Sequence, residues 1–472
     1  MRTHPREAVQ PLSGPIAPEN KGGCALCLRT GTVMNHHPKV LLVTLNKVES
    51  DDPSNLLIRT QFGDWPKERL AQIHSGEVAG HGEFCGRYYK LNASDRRLGV
   101  LFYKLRGPVA ETISMETVSE LLTSGSSDLH HKLKMSLQKR ISELLLHSGL
   151  WELLFAVRIS NAMAEFIEEF APDVIYCQGY SLGFTSLPLL IAQRFDIPIC
   201  FQTTDDWPTY TYSRFPVGWL LRRRAAKLIA QSKTRMAFGE KMRQVYEQRY
   251  KTSFLATYHA DQFERFSTIR PSTRSSSCFS IVFTGNLGQR RHEAINDLLL
   301  AVRSLGEAGS PIKIYVYCWG IPKGLPESLR AAPEIAFMPL PSHDELPSVL
   351  AQADILFLPE SFVVNPGTID LSLSTKCHLY MMSQTPILAY GPPYSGTIDY
   401  ARSGGWAEVV AERNIEQLRM AIVRLKQNHE VRLELTRRAR LVAQRNHDLS
   451  ACREKFRQAI ISGIAVSTEG EP

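Results

Sequence analysis

Two groups of residues in this chain have the types and spacing to bind a charged ligand. The first is Thr284-Gly285-Asn286-Leu287-Gly288-Gln289-Arg290-Arg291, which follows the apolar run Phe279–Phe283 and leads into a helix. Gly285 and Gly288, with Asn286 between them, let backbone approach a ligand closely. A helix start offers free N–H groups, and Arg290 and Arg291 supply fork-shaped donors. Together they suit a diphosphate. The spacing is not the dinucleotide fingerprint, and the same octet reads as a tight turn with solvent-facing arginines; its place at the end of a strand favours the phosphate reading. Lys376 offers a second positive charge at the start of another helix.

The second group surrounds that lysine. Asn365-Pro366-Gly367-Thr368 is turn chemistry, Ser374 and Thr375 can cap a helix to about Ser383, and Pro386 stops it. Pro386–Tyr390 then forms a short strand before Gly391-Pro392-Pro393. Alone this is an ordinary β-α-β corner, but both of its loops fall where ligands bind in open α/β sheets. Elsewhere, Asp205-Asp206 invites a divalent cation without further ligands nearby. We expect Asp206-Trp207 instead to line a cleft, meeting a sugar hydroxyl and a flat ring face. No hydrolytic triad, metal cluster or kinase signature emerges. Cys24 and Cys27 with His36 and His37 provide only one pair at zinc spacing, so no metal is expected.

The elements that must position these residues alternate. Strands are expected over Lys39–Leu45, Arg69–Ile73, Gly99–Lys104, Asp173–Cys177, Ile197–Phe201, Thr234–Phe238 and Phe254–Tyr258. The alternation restarts at Phe279–Thr284, with Ile312–Tyr317, Ala353–Leu358, Pro386–Tyr390 and Glu408–Val410 following. Between the two runs Ile269–Cys278 reads IRPSTRSSSC, a linker composition. The expectation is α/β: two Rossmann-like domains facing one another across a cleft. The boundaries are a disordered tail at 1–37, a first domain at 38–268, the linker 269–278, a second domain at 279–446, and a closing segment 447–472.

Composition narrows the partners. The 472 residues are 43% hydrophobic and 22% charged with a formal charge of +8, which favours acidic ligands or surfaces. The basic clusters are dispersed without aromatic interleaving, which argues against nucleic acid. Nine cysteines, an odd number, and a polar start without an apolar core suggest reduced thiols and a cytoplasmic setting. The most apolar stretch, Leu144–Val157, is broken by His147, Ser148, Gly149 and Glu152, so no spanning helix is expected. The helix Phe215–Gln231 sets Trp219, Leu220 and Leu221 beside Arg222-Arg223-Arg224; it is either a solvated basic face or a contact with an anionic membrane surface.

The two halves, the linker and the 284–288 loop together resemble the GT-B fold of glycosyltransferases, in particular the retaining family-4-like group. The resemblance covers roughly residues 39–463, and is carried by Thr284–Gly288, Ala353–Pro359, Ser374-Thr375-Lys376 and Tyr380–Pro392. It implies a nucleotide-sugar donor on the second domain and an acceptor, a glycan or a lipid-linked sugar, on the first. It also implies a last helix crossing back to the first domain, and no cofactor beyond the donor. The diphosphate would be stabilised by Arg290, Arg291 and Lys376 rather than a metal, with the sugar between Gly285-Asn286 and Asn365–Thr368. Asp206 and His259 are the candidate acceptor bases. Where the family carries two glutamates separated by seven residues, this chain has Leu371 and Leu379, and Gln384 replaces a glycine. Asp370, Ser372 and Ser374 are then the candidates to hold the ribose. A member that binds without catalysis, or an epimerase of the same fold, fits these departures as well.

Overall fold

The computed structural model describes residues 37–49, 53–76, 84–97, 149–211, 216–267, 278–306, 311–322, 324–363 and 369–468. All the described residues belong to one compact unit. The tail, Gly99–Lys104, the linker up to 277 and the turn Asn365–Thr368 therefore lie outside the described residues.

Two wholly parallel sheets carry the fold. The first contains β1 (Val40–Val43), β2 (Leu70–His74), β3 (Arg87–Lys90), β4 (Val174–Cys177), β5 (Ile199–Thr203), β6 (Thr234–Phe238) and β7 (Leu255–Thr257). The second contains β8 (Phe279–Thr284), β9 (Ile312–Cys318), β10 (Ile335–Pro339), β11 (Ile355–Pro359), β12 (Ile387–Tyr390) and β13 (Glu408–Val410). Their orders are β3-β2-β1-β4-β5-β6-β7 and β10-β9-β8-β11-β12-β13. Each sheet thus winds outward in both directions from a central pair, β1/β4 and β8/β11. Such a reversal opens a crevice at the carboxyl ends of the two strands.

The central strands are apolar on both faces because helices cover both. Val40–Val43 and Val174–Cys177 are buried throughout. Leu41, Ile175, Leu187 and Leu221 share one core; Ile281, Phe283, Leu298 and Ile422 share another. The helix Leu182–Phe195 begins where Ser181 accepts a hydrogen bond from Phe184 N at 3.2 Å.

The last helix, Leu449–Thr468, lies against the first sheet. Its Phe456 meets Phe62 edge-on at 4.8 Å between centroids, and Thr234 Oγ1 donates to Ala459 O at 2.8 Å. The two sheets' domains also touch directly. Leu371 belongs to the first domain's core, and a Cβ on Gly239 would lie 2.7 Å from Leu373 Cδ1. Lys241 Nζ donates to Tyr394 O at 2.8 Å, and Ser372 Oγ to Asp205 Oδ1 at 2.8 Å.

Candidate functional site

The crevice between β8 and β11 is built from the residues that follow each strand. Gly285 leaves β8 at φ +125°, a conformation that favours glycine, and its N–H donates to Tyr317 O at 2.8 Å. Thr284 N donates to Tyr380 Oη at 2.9 Å, which ties the loop to the helix Cys377–Met382. The missing Cβ matters: one built on Gly285 would lie 2.4 Å from Lys376 Cε and 3.1 Å from its Nζ. Lys376 therefore lies across the glycine, with its ammonium 5.5 Å from the centre of the Phe283 ring.

Glu360, the residue after β11, closes the other side and is 3% exposed. Its Oε1 accepts from Thr397 Oγ1 at 2.7 Å and its Oε2 from Arg291 Nη2 at 3.3 Å. Arg291 opens the helix Arg291–Arg303; its Nε is buried without a hydrogen-bond partner. Burial, followed by the neighbouring Arg291, lowers the Lys376 ammonium to about 8, with Glu360 opposing the fall. The group is two cations against one carboxylate, a net positive charge.

The helix start adds to it. Gln289 and Arg290 both have left-handed backbones, φ +53° and +59°, and no side chain caps the helix. Arg291 N and Glu293 N already bond to Gly288 O at 3.2 Å and Arg290 O at 3.0 Å, so what the helix start offers an anion is chiefly its dipole. Asn286 is spent on the loop itself, where Oδ1 accepts from Gly288 N at 2.6 Å.

Arg290 and Arg291, neighbours in sequence, part company. Arg290 is largely exposed and its Nε donates to Glu293 Oε1 of its own helix at 2.6 Å. Only Arg291 meets Lys376 and Glu360. Lys376 rather than Ser374 or Thr375 holds the cap position, with helical angles, and Ser374 Oγ accepts from Lys376 N at 3.5 Å. Ser374 N donates to Thr397 Oγ1 at 2.9 Å, so Thr397 links Ser374 to Glu360. Asn365, Gly367 and Thr368 lie outside the described residues. Glu360 was not singled out from the sequence; an acid directly after an apolar strand that ends at a crevice was the available signal.

The glutamate-to-leucine changes have a packing explanation. Leu371 is 6% exposed within the first domain's core, and Leu379 packs on the second domain's. Beside them, Asp370 Oδ1 is buried with no hydrogen-bond partner, whereas Ser372 is engaged by Asp205.

The first domain corrects two expectations. Asp206 is 5% exposed, and its carboxylate is fully occupied: Arg249 grips both oxygens, Tyr246 Oη donates to Oδ1 at 2.9 Å and Thr209 Oγ1 to Oδ2 at 3.1 Å. A carboxylate buried behind these partners is not presented to an acceptor. Trp207 is fully buried, packed against Gly179, so it offers no ring face to a sugar. The half-buried Asp205 is the member of the pair that reaches the second domain. His259 is likewise 7% exposed, stacked on His378 at 5.7 Å, with His378 in turn stacked on His447 at 6.0 Å. Burial lowers His259 to about 3, so its ring is neutral but enclosed.

Among the described residues no three His, Cys, Asp or Glu side chains are grouped to hold a metal, and no helix is long and apolar enough to cross a membrane. The helix Val217–Gln231 exposes Trp219, with Arg223 4.7 Å from its ring, and the flanking Arg222 and Arg224.

Paired parallel sheets with a crossing C-terminal helix define the GT-B fold of glycosyltransferases, and this chain has it. Among solved structures it is similar to sucrose-phosphate synthase from Thermosynechococcus elongatus, with a TM-score of 0.59 and 11% identity over 90% of this chain and 99% of that one. It is also similar to Anabaena HepE in complex with UDP (TM-score 0.57, 10% identity, 90% of this chain and 100% of that one). A third is WaaG, a glycosyltransferase involved in lipopolysaccharide biosynthesis (TM-score 0.51, 12% identity, 89% and 99%). At such identities the likeness is one of fold. No family model matches the chain, and no curated protein matches it.

Proposed function

We propose that this protein is a glycosyltransferase that moves a sugar from a nucleotide-sugar donor to a glycan or lipid-linked acceptor, in surface polysaccharide or glycolipid biosynthesis. The observation that carries the reading is the convergence of Arg291 and Lys376 on the Gly285 turn, beside an uncapped helix start. The UDP bound by HepE and the named role of WaaG support it from the side of the fold.

In the proposed reaction the bond between the anomeric carbon and the diphosphate oxygen breaks, the acceptor hydroxyl oxygen bonds to that carbon, and the hydroxyl proton leaves with the released diphosphate. Arg291, Lys376 and the positive end of the helix dipole stabilise the charge gathering on the diphosphate. With that charge supplied by side chains, the transfer is read as metal-independent, and as retaining. Asp370, whose buried oxygen lacks a partner, is the better candidate to hold the ribose in place of the absent glutamates. The acceptor lies on the first domain, and the basic, Trp-bearing helix Val217–Gln231 brings that domain to an anionic inner membrane face from the cytoplasm.

Thermal-shift measurement against UDP, GDP, ADP and their sugar conjugates tests the donor site. We expect one nucleoside diphosphate to raise Tm; no response to any would refute the reading. Leu371 and Leu379 favour a second reading, a GT-B protein that binds its nucleotide-sugar without turnover. Chromatographic detection of free nucleoside diphosphate, with candidate acceptors present, separates the two.

A further inference from the structure

Trp319 is 79% exposed, far beyond the other large apolar side chains described, the next being Leu441 at 52%. Leaving an indole in water forgoes one of the largest burial gains any side chain offers, and tryptophan is enriched where a flat partner covers it. Among the described residues it has no aromatic or cationic neighbour. Its place in the fold is specific. It follows β9, the strand hydrogen-bonded to β8, in the register that pairs Thr284 with Tyr317. Gly285 N bonds to Tyr317 O, so the chain reaches Trp319 two residues beyond its last contact with the loop that carries the phosphate cradle.

The segment is fixed at its root and open at its tip. Cys318 is 5% exposed and belongs to the core. A Cβ on Gly320 would meet nothing within 4 Å, and Ile321 beyond it is 44% exposed. An anchored, uncovered indole beside a diphosphate cradle has the form of a stacking platform.

We infer that Trp319 is the surface on which the donor's nucleobase stacks, a specificity residue that rests on the nucleotide-sugar reading above. With the diphosphate on Gly285, Arg291 and Lys376, the ribose carries the base toward β9, and the indole face covers it. Every base has a π-face, so the contact supplies affinity for nucleotides over bare phosphates rather than choice among bases.

Isothermal titration of wild type, Trp319→Ala and Trp319→Phe with UDP, GDP, ADP and inorganic pyrophosphate tests this. The side chain is exposed, so both variants should keep the wild-type Tm. We expect Trp319→Ala to bind the preferred nucleoside diphosphate roughly ten-fold or more weakly, Trp319→Phe to lose less, and pyrophosphate affinity to be unchanged. The quench of tryptophan fluorescence on nucleotide binding should shrink in Trp319→Phe. Equal nucleotide affinity in wild type and Trp319→Ala, or parallel loss of pyrophosphate affinity, overturns the inference. If the wild type binds none of the four probes, the donor reading itself falls and takes this inference with it.

Discussion

Arg291 and Asp206 stand at the carboxyl ends of their respective sheets, each close behind a strand, yet their surroundings are opposite. Asp206 is gripped by Arg249 and Tyr246, and each of its carboxylate oxygens already accepts a bond. Arg291 has one long contact to Glu360 and a buried Nε with no partner, next to a lysine whose proton burial has loosened. A saturated polar group serves the scaffold, since it gains nothing from a newcomer. An unsaturated one inside a crevice is a cost that a ligand removes. By this criterion the donor side is a binding site, and the Asp206 network is a brace.

The joint between the halves is built of stacked, buried rings, and pH should distinguish it from the donor side with the largest effect. His259 comes from the first domain, His378 from the second and His447 from the start of the crossing segment. Burial holds all three rings neutral, His259 at about 3, His447 at about 4 and His378 well below its ordinary value. The neighbouring Arg265 further disfavours a proton on His378. In the unfolded chain each titrates near 6.5, so below that pH the unfolded state takes up protons the fold refuses. Stability should fall as pH drops from about 6.5 toward 4, by up to roughly 1.4 kcal/mol per pH unit per histidine. Calorimetric Tm values between pH 7.5 and 5 check this, and a flat profile would contradict the buried stack. On the alkaline side, Lys376 loses its proton above about 8. Nucleoside diphosphate affinity should therefore decline as pH rises through about 8.

Substituting Asp206 attacks the brace itself. Asp206→Ala strands Arg249 and Tyr246, and should cost about 3 kcal/mol of stability, less than a fully enclosed pair because Arg249 is partly solvated. Urea midpoints measure the loss. Titration of the same variant with UDP, GDP and ADP should find nucleotide affinity within about two-fold of wild type. A selective loss of nucleotide affinity with unchanged stability would erase the distinction drawn between the two ends.

How much of this was legible in the sequence follows from what side chains report about themselves. Buried parallel strands announce themselves as apolar runs, so β6 and β8 were expected at the bounds they have. The two strands that were missed, β3 and β10, each lie at one edge of their sheet; β7 and β13, at the opposite edges, were expected. Arg87–Lys90 is exposed at both ends and Ile335–Pro339 over its last two residues, because an edge strand has solvent on one side and no need of an unbroken apolar run. In the site, Gly285 and Lys376 were found separately from local chemistry. That the lysine fills the space of the glycine's absent Cβ is a contact across ninety residues of sequence, which local pattern does not encode. Asp206 failed for the same reason in reverse: its partners Tyr246 and Arg249 lie some forty residues on, and only the fold brings them to it.

The smallest expected effect is the sharpest test, because it compares two residues of the same type one position apart. Sequence places Arg290 and Arg291 in one role. The left-handed backbone at Arg290 sends the pair to different surroundings: Arg290 into solvent with Glu293, Arg291 into the crevice with Glu360 and Lys376. An exposed pair three residues apart on a helix is worth only about 0.3–0.5 kcal/mol, whereas a charge-assisted contact to a diphosphate in a half-enclosed site is worth about 1.5–3 kcal/mol. Arg291→Ala should therefore weaken binding of the preferred nucleoside diphosphate by roughly ten- to a hundred-fold, and Arg290→Ala by less than about two-fold. Titration calorimetry on the two variants, with Tm showing both folded, decides between a site with one working arginine and a diffuse basic loop. Equal losses from the two would mean that Arg290 leaves Glu293 to meet the ligand. The unpartnered Nε of Arg291 would then no longer mark where the diphosphate binds.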